Sequence, residues 1–183
     1  MIRGIVSRRA ALLGLLPAVF FRRASAAAVT KGKTVKIAEF DSSGKLIKVL
    51  EVDRIEKTAA EWQQQLTPLQ FQVTRKQGTE RAFSGKYATS HDDGLYRCIC
   101  CGTVLFDSKT KFESGTGWPS FWQPIAKENV REETDTSLSE TRTEVLCARC
   151  DSHIGHVFED GPRPTGLRYC MNGVALKFVK GKA

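Results

Sequence analysis

The chain has 183 residues, 41% hydrophobic and 26% charged, with 15 Gly, 6 Pro and 2 Met, a composition that fits one globular domain and excludes collagen-like or low-complexity chains. No apolar run approaches the roughly 18 residues that a membrane-spanning helix needs, which excludes a receptor or channel built on such helices. The formal charge of +8 is concentrated: five of the 28 Lys and Arg precede residue 27, where there is no Asp or Glu, so the rest of the chain carries 23 basic against 20 acidic residues and little general attraction for nucleic acid.

The first 26 residues have the three parts of a secretory signal. Met1 to Arg9 is basic, Ala10 to Phe21 is apolar though interrupted by Gly14 and Pro17, and Ala24-Ser25-Ala26 is a small-residue cleavage site. Arg8-Arg9 points to the twin-arginine type, hence to a periplasmic protein with no stable membrane association after cleavage. An amphipathic anchor or an uncleaved tail is the alternative. Cleavage after Ala26 leaves 157 residues.

Residues 34–52 alternate around Asp41-Ser42-Ser43-Gly44 and predict a hairpin within an N-terminal extension over 27–56, either docked or a flexible edge. Thr58-Ala59-Ala60-Glu61 is a capping box that opens a short helix. Thr67-Pro68-Leu69-Gln70 opens a second, expected to stop at Gly78. From Gly94 onward short β-like runs follow, notably Val104 to Phe106, Thr141 to Leu146 and Tyr169 to Val179. The main domain, 57–180, therefore reads as mainly β with short N-terminal helices.

Cys98-Ile99-Cys100-Cys101 and Cys147-Ala148-Arg149-Cys150 each contain a C-x-x-C, with 45 residues between Cys101 and Cys147. Two residues between sulfurs let a tight turn aim both at one ion, so Cys98, Cys101, Cys147 and Cys150 predict a four-cysteine zinc site. Four sulfur ligands leave no open coordination position, so the ion would be structural. Two disulfides, or a thioredoxin-type redox pair, are the other readings of the same spacing.

Two cysteines remain. Cys100 sits inside the first knuckle and reads as a small buried hydrophobe. Cys170 lies in Arg168-Tyr169-Cys170-Met171-Asn172-Gly173, where strand alternation puts Arg168, Cys170 and Asn172 on one face and a nearby cation favours the reactive thiolate. His153 and His156 lie within one short segment and by themselves read as core histidines or as zinc ligands rather than as catalytic groups. Gly115-Thr116-Gly117-Trp118-Pro119-Ser120-Phe121-Trp122 is a Gly-rich aromatic loop, fit for core packing or for the wall of an apolar pocket.

Ser114 to Phe121, Cys147 to Phe158 and Arg168 to Asn172, with Thr79-Glu80-Arg81-Ala82-Phe83 upstream, together resemble the methionine-R-sulfoxide reductases of the MsrB type over about residues 57 to 180. The resemblance implies two antiparallel sheets with the zinc site at one end. It implies that Cys170 attacks the sulfoxide and becomes a sulfenic acid, and that His156, helped by His153, protonates the departing oxygen. By the same resemblance Asp160 interacts with the second histidine, Arg168 lowers the thiol pKa and Asn172 orients the site. Trp118 would receive the substrate's methyl group, and Phe121 would join it in binding substrate. The substrate class is methionine-R-sulfoxide in oxidised proteins or peptides. One departure stands out: many members carry a resolving Cys where this chain has Thr116, which makes an external donor such as a thioredoxin-like protein the expected reductant. A zinc-ribbon binding module or a disulfide exchanger would account for the four knuckle cysteines but not for Cys170, the histidines and the Gly-Trp loop together.

Overall fold

The first hairpin and the two helices carry local reasons for their shape. The computed structural model describes Met1, residues 33–137 and residues 140–181; apart from Met1, the leader over 1–26 lies outside them. β1 (Thr34–Phe40) and β2 (Leu46–Asp53) pair antiparallel. Their turn is fixed by the Asp41 carboxylate, which accepts from Ser43 N at 2.9 Å, Ser43 Oγ at 2.7 Å and Lys45 N at 3.1 Å. The hairpin is docked rather than loose. Asn129, fully buried, binds Ala38 through both N and O at 2.8 Å and also donates to Val104 O at 2.7 Å, while Ile55 N donates to Arg149 O at 2.8 Å. Its outer residues Leu46, Ile47 and Val49 stay exposed.

α1 (Ala59–Gln65) and α2 (Pro68–Lys76) both start at complete capping boxes, Thr58 with Glu61 and Thr67 with Gln70, and Pro68 opens α2. Trp62 on α1 is buried, with Lys57 Nζ and Arg75 Cζ each 4.8 Å from its ring centroid. The stop of α2 differs from the expectation by one position. Gln77, not Gly78, takes the left-handed cap at φ 54°, and Gly78 N then closes onto Gln72 O at 3.1 Å. A Cβ on Gly78 would stand 3.0 Å from that same carbonyl oxygen, so the glycine serves close approach rather than backbone inversion.

The remaining strands are β3 (Gly94–Cys98), β4 (Val104–Asp107), β5 (Lys111–Phe112), β6 (Ser120–Phe121), β7 (Val130–Asp135), β8 (Arg142–Cys147), β9 (His153–Phe158), β10 (Arg168–Met171) and β11 (Leu176–Lys180). They build two antiparallel sheets in the orders β5-β6-β10-β9-β8-β7 and β11-β3-β4. The expected β-like run from Tyr169 to Val179 is thus two strands in different sheets. The chain leaves one for the other through a 3-10 turn at Gly173–Ala175.

The two sheets meet through aromatics. Phe121 of β6 stacks on Phe106 of β4 with centroids 4.4 Å apart, and Tyr96 of β3 meets Phe121 edge-on at 5.0 Å. Burying a side chain of this size favours folding by about 2 kcal/mol before the aromatic geometry adds to it. Among the described residues no helix is long and apolar enough to cross a membrane.

Candidate active site and metal centre

The two cysteine knuckles are the same turn used twice. Cys98 and Cys147 end their strands, and each accepts on its carbonyl from the N–H four residues on, Gly102 and Asp151, at 2.9 Å. Those two residues take left-handed φ values of 78° and 53°, which turns the chain back just after the second cysteine of each pair. The result places the sulfurs of Cys98, Cys101, Cys147 and Cys150 all within 4.8 Å of one another. Across the knuckles Cys98 and Cys150 are 3.7 Å apart and Cys101 and Cys147 3.5 Å. A tetrahedral ion with metal–sulfur bonds of about 2.3 Å needs sulfur separations of about 3.8 Å, so the four side chains are positioned to hold one metal ion. None of the six cysteines is in a disulfide, and Cys100 Sγ turns instead to Ser152 Oγ at 3.4 Å.

Strand register assembles the second site. Glu144 of β8, His156 of β9, Cys170 of β10 and Ser120 of β6 are successive cross-strand partners, so all four project from one face of the six-stranded sheet. His153 is three residues from His156 and in an unbroken strand would face the other way. The register shift at Val145/Leu146, which pairs Leu146 with His153 and leaves Ile154 as the extra residue, turns it back. The two imidazole centroids are consequently 5.3 Å apart.

Cys170 is half-buried and lines a pocket of about 130 Å³ together with Thr79, Trp118, Arg142, His156, Phe158 and Asn172. Burial pushes the Cys170 thiol above its ordinary pKa, while Thr116, whose Oγ1 is 3.8 Å from Sγ, and the Arg168 guanidinium pull it down. Arg168 thus acts on the thiol in the expected direction, but desolvation outweighs it.

Residues 66–180 match the SelR domain family. The chain belongs to the SelR family. Curated relatives named peptide methionine sulfoxide reductase MsrB include one from Hahella chejuensis, 54% identical over 127 residues, which covers 69% of this chain and 91% of that protein. Others come from Pseudomonas putida, 59% identical over 123 residues (67% and 94%), and Pseudomonas fluorescens, 59% over 128 residues (70% and 98%).

Within this SelR member two expected assignments need correction. Asp160 does not reach a histidine; its carboxylate receives Nε and Nη2 of Arg168, both at 2.8 Å, and that guanidinium holds it below the usual carboxylate range. The acid on His156 is Asp135 of β7, whose Oδ2 accepts from Nε2 at 2.8 Å and from Arg142 Nη2 at 2.6 Å. Hydrogen bonds from Ser137, then His156 and Arg142, lower the Asp135 pKa. Phe121 does not line the pocket either. Its register partner is Tyr169, on the face opposite Cys170, and it is fully buried between the sheets. Phe158, two residues from His156 on the same face, stands in the pocket wall instead and carries Arg168 Cζ 4.5 Å above its ring.

His153 is buried behind His156, its Nδ1 donating to Glu144 at 2.6 Å, and burial lowers its pKa. Gln77 Nε2 at the end of α2 donates to the same carboxylate at 3.2 Å. Sequence reasoning missed Glu144, Asp135 and Phe158. The alternation Arg142-Thr143-Glu144 was a readable signal for two polar side chains on one strand face; Asp135, 21 residues before its histidine, offered none.

Proposed function

We propose that this chain reduces methionine-R-sulfoxide in oxidised proteins or peptides to methionine, and so repairs oxidised proteins. The observation that carries the reading is the half-buried Cys170 thiol set opposite His156 in a pocket that Trp118 and Phe158 also line. The Cys170 sulfur attacks the sulfoxide sulfur and takes its oxygen: the thiol becomes a sulfenic acid, oxidised by two electrons, and the substrate leaves as the thioether. His156 serves as the acid for the departing oxygen. Asp135 fixes one nitrogen of that ring, leaving Nδ1 for the substrate, and His153, tied to Glu144, backs it. Trp118 takes the methyl group, where apolar contact favours binding by up to about 1 kcal/mol. With the methyl facing the indole and the oxygen facing the imidazole, one sulfoxide epimer fits. Asn172 orients the site, and Arg168, held by Asp160, tempers the thiol.

With Thr116 beside Cys170, the sulfenic acid is returned to thiol by two thiols of an external donor such as a thioredoxin-like protein, releasing water and the donor's disulfide. The ion in the four-cysteine clasp is zinc, held by Cys98, Cys101, Cys147 and Cys150 as scaffolding, since this all-thiolate donor set and its sulfur spacing suit tetrahedral zinc. The leader directs the chain to the periplasm. The test is turnover of the mature chain on peptides carrying each sulfoxide epimer, with dithiothreitol as donor. Reduction of the R epimer alone is expected; a folded chain inert toward both would overturn the reading.

A further inference from the structure

Glu80 is buried, 2% exposed, and does not line the pocket. Its carboxylate accepts from the backbone N–H of Gly173 and from that of Val174 at 3.1 Å, at the turn where the chain leaves the Cys170 strand. Its own peptide group is used as well. Glu80 N donates to Asn172 Oδ1 at 2.9 Å, and Glu80 O accepts from Trp118 Nε1 at 3.1 Å. Asn172 is in turn fixed to β9, its N and Nδ2 both donating to Ile154 O at 2.8 and 3.1 Å. Two glycines leave space for the carboxylate: a Cβ on Gly85 would stand 2.7 Å from Glu80 Oε1 and one on Gly173 3.1 Å from it. One residue therefore touches the turn after the nucleophile, the amide of the site and the indole wall, without reaching substrate.

We propose that Glu80 is a positioning residue for sulfoxide reduction: by clamping the Gly173–Val174 turn while holding Asn172 and Trp118, it sets the spacing between the Cys170 sulfur and the wall that receives the substrate. This rests on the reductase reading above. The carboxylate fits this role, since each of its two oxygens takes one of the two convergent N–H donors in a dry site. A glutamine keeps one acceptor and turns an NH2 toward the other donor; an alanine removes both. A displacement of about 1 Å at a reacting centre costs on the order of 10²-fold in rate.

The experiment compares full-length wild type with Glu80→Gln and Gly85→Ala, the second of which keeps the carboxylate but intrudes on it. Four readouts are taken: kcat and KM on a sulfoxide peptide, Cys170 alkylation by iodoacetamide, bound metal, and amide hydrogen exchange at Gly173 and Val174. Both variants are expected to exchange those two amides at least about 10-fold faster and to lose about 10- to 100-fold in kcat. Alkylation rate and metal content should stay within about two-fold of wild type, which a general loss of folding would not allow. Wild-type kcat in a variant whose turn has loosened overturns the proposal, as does a kcat loss with Gly173 and Val174 still protected. A wild-type chain inert toward both epimers counts against the reductase reading instead, and the clamp is then decided by the exchange rates.

Discussion

The clasp and β10 hold sulfur in opposite ways. In the clasp four thiols converge within 4.8 Å, and each pair is delivered by a local turn whose geometry is complete within five residues. On β10 a single thiol stands alone, and the groups around it come from several elements: Thr116 from the Gly-rich loop, Ser120 from β6, His156 from β9 and Arg168 from two residues earlier on β10 itself. In the proposed reading the clasp is inert and ties β3 to β8. The Cys170 thiol is left half-buried with competing influences on its charge, which suits the proposed role of a group that changes state in each cycle.

If that contrast is right, removing one sulfur from each site produces different failures. Cys147→Ser leaves three ligands and an incomplete shell. Because the binding of a structural ion of this kind is worth about 10 kcal/mol or more to folding, the variant is expected to lose its metal and its cooperative melting transition together. Melting curves and metal analysis read this; a metal-free chain that melts like wild type would break the comparison. Cys170→Ser is expected to keep the metal and the wild-type melting temperature while losing sulfoxide turnover by on the order of 10³-fold or more. Retained turnover would move the nucleophile elsewhere.

A third change separates the two candidate acids. Asp135→Asn leaves His156 without its anionic partner and is expected to lower kcat by about 10-fold, below the ceiling of 10²–10⁴ that losing a general acid carries. Asp160→Asn, which disturbs only Arg168, should change kcat by less than about three-fold. Equal effects would remove the distinction drawn here. Asp135 has a second signature in stability. Its folded pKa lies below that of the unfolded chain, so its contribution is present above the unfolded value of about 3.9 and is lost as pH falls below it. Asp135→Asn should therefore flatten the acid limb of a stability–pH curve.

These two sites were unequally legible in the sequence, for a physical reason. Knuckles, capping boxes and the Asp41 turn are set by neighbours a few residues apart, so their spacing shows in the chain. What strand pairing decides does not show. Phe121 lies within a loop motif that suggested a pocket wall, yet pairing with Tyr169 sends it into the core. His153 shares a face with His156 only because of the shift at Val145/Leu146, and Asp135 meets His156 only because β7, β8 and β9 lie in register. The single run Tyr169–Val179 hid a change of sheet, since the turn that divides it is held by Glu80, 93 residues before Gly173. Phe121→Leu tests the first of these: a loss of about 1 kcal/mol in stability with KM unchanged is expected of a core residue. A raised KM at unchanged stability would return Phe121 to the pocket.

The smallest effects bear on how the lone thiol is balanced. Since burial raises the Cys170 pKa and both Thr116 and Arg168 oppose it, alkylation by iodoacetamide should keep increasing with pH beyond the midpoint of an ordinary cysteine. Thr116→Val and Arg168→Met each remove one opposing influence, so each should move that midpoint further up and slow alkylation at neutral pH. The clasp is untouched by either change, and the metal content of both variants should match wild type. A midpoint that falls in Arg168→Met would mean that losing the guanidinium and its Asp160 partner opens the site to water. In that case desolvation, rather than charge, would be what Arg168 governs at Cys170.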